Sequence, residues 1–225
     1  MRRRIINILY LHFPKIFLKI FHLTIGKTKF SIKKNNLFNY NNSNMYRSEF
    51  VVNGVSNTID MCENSIVECS KIKISGSNNK IYIGKDSFVH GLILSVEGDN
   101  NTFYLGNNFF ICDSTAVAVI DGSRFIAGDG GMFSDNIYIR TSDSHSIIDV
   151  NSGKRINYDQ DIILGNRVWL GHGVTLLKGA EIADDSIVGS QSVVTKKFNT
   201  PNTIIAGNPA KVVKSGVKWD FVRIK

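Results

Sequence analysis

The sequence lacks several features that would fix its class at once. It has three cysteines, Cys62, Cys69 and Cys112, with no CxxC spacing among them. That suits a reducing compartment or buried apolar positions better than a disulfide framework. No histidines stand near those cysteines at metal-ligand spacing, so nothing in the sequence implies a metal. A glycine-rich phosphate loop of the nucleotide-binding kinds is missing too. The one apolar run, near the N-terminus, is broken by Pro14, Lys15 and Lys19. It is too short and too charged for a clean membrane span, and no small-residue cleavage pattern follows it.

Acidic residues are also missing from residues 1–34, which carry nine Lys and Arg. The rest of the chain holds 18 basic against 19 acidic residues, so the net charge of +8 belongs to one terminal segment. Three regions are expected: a basic apolar segment over 1–45, a body over 46–214 and a short tail over 215–225. In the first, Ile16, Phe17, Ile20, Phe21 and Leu23 fall near helical spacing. Either residues 1–25 touch an anionic membrane surface as a basic amphipathic helix, or that helix packs on the body or a neighbouring subunit. Nucleic-acid binding is not expected, because the body is nearly neutral and the arm carries no recognised motif.

What the body does contain is repetition. Gly54-Val-Ser-Asn57 is echoed by Gly76-Ser-Asn-Asn79 and Gly98-Asp-Asn-Asn101, with a looser fourth copy at Gly122-Ser-Arg-Phe125. A polar turn followed by a short alternating strand, recurring at a fixed period, means a solenoid whose coils are stabilised by stacking. From Leu164 the period tightens to six: LGNRVW, LGHGVT, LLKGAE, IADDSI, VGSQSV, VTKKF. An aliphatic residue opens each block and a small or β-branched residue usually stands fifth. Three blocks make one triangular turn, so Leu164 and Ile182 should stack. Glycine recurs where it would break helices.

This pattern resembles the hexapeptide-repeat acyltransferases, over about residues 75–214. The resemblance implies an all-β fold, a left-handed parallel β-helix, usually assembled as a homotrimer with active sites between subunits. Ile204-Ile-Ala-Gly-Asn-Pro-Ala-Lys211 looks like that family's exit from the β-helix. RTSDSHSI at 140–147, GKRIN at 153–157 and DIILGNRVWLGHGV at 161–174 look like the branch that O-acetylates bacterial surface sugars of capsule or lipopolysaccharide.

The resemblance implies acetyl-CoA as co-substrate, a glycan acceptor and His145 as general base. A sugar hydroxyl is a poor nucleophile at neutral pH, and an imidazole titrates where it can take that proton. The other reading of His145 is a polar turn residue. Asp143 is the nearest carboxylate to orient it, with Asp113 and Asp135 as alternatives. The two residues 143 and 145 point the same way only if the segment is extended, and Asp143 suits a turn cap equally well. Trp169 is implied to line the groove, the alternative being a tryptophan packed in a subunit interface. Gly171, His172, Ser190 and Thr195 match positions that contact the cofactor. Lys196, Lys197, Lys211 and Lys214 could neutralise its phosphates, or be solvated surface charges. In the insertion after His145, Lys154, Arg155 and Tyr158 could meet the acceptor. Arg140 and Arg155 could pair with the carboxylate of an acidic sugar.

No Cys or Ser is paired with His145 in a nucleophile motif, so direct transfer is expected. Rival acceptors are a small molecule or a nucleotide-linked amino sugar. A zinc hydratase on this fold would need three histidines from adjacent coils, and no H-x4-H pair exists. A non-catalytic β-helix binding protein is the remaining rival. The expected location is the cytoplasm, at or near the inner face of the membrane.

Overall fold

A computed structural model of the chain describes residues 27–40 and 42–224, and every regular element in them is a strand. The strands alternate, and alternation sets which side chains go inward. In Lys71–Ser75, Ile72 and Ile74 are fully buried while Lys71 and Lys73 point out. Each strand pairs in parallel with the strand one coil above and one coil below. The result is a three-sided parallel β-solenoid of eight coils, the all-β architecture expected. Face 1 runs from Lys29–Ile32 to Val193–Val194, and face 2 from Leu37–Asn39 to Lys197–Phe198. Face 3 runs from Asn44–Tyr46 to Thr203–Gly207 and is closed by antiparallel Ala210–Ser215.

The core is a set of ladders along the solenoid axis. Ile59, Ile81, Phe103, Phe125 and Ile162 stand in register on face 2, with the two phenylalanine rings 5.4 Å apart. In the narrower coils Leu164 stacks on Ile182, as the hexapeptide period predicts.

A second ladder is polar. The Asn36 Oδ1 accepts from the Asn57 backbone N–H and amide, Asn57 from Asn79, and Asn79 from Asn101. Asn57, Asn79 and Asn101 are buried, where an unpartnered amide would cost about 1–3 kcal/mol each. The ladder continues through the Gly122 N–H and ends at Ser123, whose hydroxyl donates to the Thr141 hydroxyl at 2.6 Å. The glycine of each repeat is there for space. A Cβ on Gly76, at φ +144°, would lie 1.9 Å from the Gly98 carbonyl oxygen.

The first coil begins at Lys29, ahead of the boundary expected at residue 46. Asn36 is its rung of the ladder, but Lys33 precedes it where later copies carry glycine, which hid the coil in the sequence. The expected 1–25 membrane segment, with His12 and His22, lies outside the described residues. The tail folds back on the body: Trp219 is buried, its indole N–H donates to the Arg167 carbonyl at 2.6 Å, and the Arg167 guanidinium returns a bond to the Trp219 carbonyl at 2.7 Å.

Candidate active site

The regular winding breaks once. After Tyr138–Arg140 on face 1 the chain leaves the solenoid at Thr141 and rejoins it at Ile162–Leu164 on face 2. The polar ladder ends at the root of this loop. The loop is a small hairpin: Ile148 bridges Arg155, and the Asp149 carboxylate accepts from the Ser152 N–H and hydroxyl and from the Asn151 N–H across the tip. The Ser152 hydroxyl, with those backbone bonds, holds the Asp149 carboxyl below its usual value. Ile147, Ile148, Val150, Ile156 and Tyr158 are exposed on it.

His145 stands at the base of this hairpin with its side chain exposed. Its backbone is tied down twice: its N–H donates to the Asp143 carbonyl at 2.8 Å, and its carbonyl accepts from the Asn157 amide at 2.8 Å. Among the described residues no carboxylate pairs with its ring. Asp143 does not orient the imidazole. Ser144 between them is in the left-handed region, φ +64°, which turns the two side chains apart. The Asp143 carboxylate instead meets the Lys178 ammonium from the following coil and the Asn157 amide at 2.8 Å. Lys178 first, then Asn157, hold that carboxyl below its usual value. The alternatives fail as well. Asp135 accepts from His172 at 2.9 Å, which lowers its carboxyl, and Asp113 lies 3.7 Å from His90. Both sit at the corner between faces 3 and 1, away from the loop.

The two arginines assigned to an acidic sugar are engaged within the loop. The Arg140 guanidinium donates to the Ser142 carbonyl, the Tyr138 hydroxyl and the Ser144 hydroxyl. Arg155 donates to Asn157 and Asp159 and lies over the Tyr158 ring. Lys154, near the hairpin tip, and Tyr158 are both exposed. Lys178 and Asn157 escaped the sequence reading. Asn157 lies within GKRIN, close in sequence to Lys154, Arg155 and Tyr158, the residues expected to meet the acceptor, yet its side chain is buried.

Trp169 lies on face 3, in register with Met132 and Ile187. Face 3 is opposite the corner that carries His145, so one chain does not bring the two together. Trp169 packs 6.0 Å from Trp219 of the tail. Gly171, His172 and Ser190 gather at the corner between faces 3 and 1. Thr195 is exposed at the corner between faces 1 and 2. Lys196, Lys197 and Lys211 line one cleft of about 320 Å³ with Phe198 and Thr200 at the C-terminal end. Lys197 also pairs with Glu181 at 2.5 Å, and Lys214 lies farther along the strand of Lys211. Partial burial pushes the Cys69 and Cys112 thiols up, the opposite of an activated nucleophile. Among the described residues no group of three His, Cys, Asp or Glu side chains is arranged to hold a metal ion.

A three-sided parallel solenoid with one hairpin carrying an exposed histidine defines a class, and comparison agrees. Residues 161–196 match the family "Bacterial transferase hexapeptide (six repeats)". Over that stretch the chain is similar to the hexapeptide-repeat transferases, and the fold seen here is shared with a solved structure: the polysialic acid O-acetyltransferase OatWY superposes with a TM-score of 0.83 at 29% identity, over 88% of this chain and 93% of that one. Within the class the chain is similar to the polysialic acid O-acetyltransferase of Escherichia coli O1:K1 / APEC, 37% identical over 39% of this chain and 28% of the relative. It is also similar to the enzyme of that name from Neisseria meningitidis, 33% identical over 39% of this chain and 41% of the relative. The matched stretch thus spans less than half the length of these curated relatives.

Proposed function

We propose that this protein is an O-acetyltransferase that moves acetyl from acetyl-CoA to a hydroxyl of a bacterial capsule or lipopolysaccharide sugar. The observation that carries this reading is His145: an exposed imidazole on a backbone fixed at both its N–H and its carbonyl, in a chain similar to two polysialic acid O-acetyltransferases. His145 takes the proton of the acceptor hydroxyl as the oxygen attacks the thioester carbonyl. The tetrahedral adduct collapses, the C–S bond breaks, and the imidazolium returns its proton to the leaving thiolate. The products are the acetyl ester and coenzyme A.

The site is made between copies of the chain. The hairpin's exposed apolar side chains and the separation of His145 from Trp169 both support an assembly, read as a homotrimer. Gly171, His172 and Ser190 then lie along the pantetheine, and the Lys196–Lys197–Lys211 cleft takes phosphate. Lys154 and Tyr158 face the acceptor. A small-molecule acceptor is the alternative. The enzyme is placed in the cytoplasm, where acetyl-CoA is made.

The test is thiol release from acetyl-CoA with a panel of capsule and lipopolysaccharide sugars, polysialic acid first. His145→Ala should lower kcat by about a thousandfold, within the range of general-base contributions, with an unchanged melting temperature. Full activity in that variant would overturn the mechanism. Turnover only with small alcohols would select the alternative acceptor.

A further inference from the structure

We propose that Asn157 is the positioning residue for His145, and that Lys178 anchors it to the solenoid. This rests on the reading of His145 as base. Between Asp143 and Asp161 only Asn157 is buried. Its amide nitrogen donates to the Asp143 carboxylate and the His145 carbonyl, each at 2.8 Å. Its amide oxygen accepts from the Ile147 N–H at 2.7 Å and from Arg155 Nε at 3.3 Å. One side chain therefore fixes residues 143, 145 and 147 together, and the histidine lies at the centre of that span.

The amide alone would hold the loop to itself but not to the body. Lys178 supplies the second link. It stands in the following coil, between Thr175–Leu177 and Glu181–Ile182, and its ammonium donates to the Asp143 carboxylate and, at 3.1 Å, to the Asn157 carbonyl. Its side chain is largely buried, 18% exposed, while Asp143 is 42% exposed. The carboxylate closest in sequence to the histidine thus serves the backbone beneath it. These bonds fix the backbone from which the imidazole projects. Rigid placement is what direct attack demands, because a misplacement of about 1 Å can cost about a hundredfold in rate.

The test measures kcat and both Michaelis constants for Asn157→Ala, Lys178→Met, His145→Ala and the two double variants with His145→Ala, with coenzyme A affinity measured separately. Asn157→Ala should lower kcat by roughly thirty- to a hundredfold and leave coenzyme A affinity unchanged, as expected of a lost geometry. Lys178→Met should lose roughly tenfold by the same argument. In the His145→Ala background neither should reduce kcat further, since both act through the imidazole. Should Asn157→Ala fail to fold, Lys178→Met carries the same test. Wild-type kcat in either single variant, or losses that multiply in the double variants, would overturn the positioning role while leaving His145 as base. Full activity in His145→Ala would instead sink the underlying reading, and this one with it.

Discussion

The wide and narrow halves of the solenoid solve one packing problem in two ways. In the wide half, rungs of a ladder lie 22 residues apart, as Asn57, Asn79 and Asn101 do. In the narrow half the step is 18, as from Asn166 to Asp184. The extra residues lengthen strands: Leu92–Glu97 and Thr115–Ile120 have six residues, Val193–Val194 two. A wider coil encloses more space, and Phe50, Phe103, Phe109, Phe125 and Phe133 fill it. The narrow coils are filled by Leu164, Leu170, Leu176, Ala180, Ile182, Val188 and Val194. Most residues assigned to chemistry sit on or beside the narrow half. A strict short period puts corners at fixed places, as the proposed site between chains would require.

The comparison predicts separable damage. Phe103→Ala should remove about 3–5 kcal/mol of stability, the usual cost of a buried phenylalanine, while folded molecules keep the wild-type coenzyme A affinity. Leu170→Ala should cost about 2–5 kcal/mol and also weaken coenzyme A binding, because Leu170 lies between Trp169 and Gly171. Equal effects of the two on binding, read by calorimetry beside a denaturant melt, would erase the division. Asn79→Ala comes next. It strips the Asn101 N–H and amide of their acceptor and should cost about 1–3 kcal/mol, again without touching kcat per folded molecule.

The smallest effect is in pH. The Asp143 carboxyl is held low by Lys178 and Asn157. A group whose folded pKa is depressed stabilises the fold above its unfolded value, about 3.9, and loses that contribution as pH falls through the lower folded value. The hairpin should stay docked from neutral pH down to about pH 4 and loosen below it. A lower protection factor at the Ile147 amide in acid, with the intrinsic exchange rate divided out, would report the loosening, and Lys178→Met should flatten that response. Asp143 is too exposed for global stability to follow it closely.

Much of the architecture could be read from the residues. The glycine-led copies at 54, 76 and 98 and the hexapeptides from Leu164 fall on the three faces as their periods require, because stacking repeats the same contacts in each coil. What could not be read was whatever depends on one backbone angle or on partners far apart in sequence. Ser144 turns the chain and takes Asp143 away from His145. Arg140 and Arg155 have the composition of a carboxylate clamp, but their donors close the loop on itself. The Arg167–Trp219 contact joins residues 52 apart, and no period announces it. Asn157 carries no local sign of burial, since it follows Lys154 and Arg155 and the one apolar residue of GKRIN, Ile156, is itself exposed.

The asparagine ladder has translational symmetry as well as strength. Each rung offers its successor the same acceptor that it received from its predecessor. A whole 22-residue unit can therefore be added or removed in the wide half with every amide matched again. The number of such units sets how far the first coil, which begins at Lys29, stands from the hairpin.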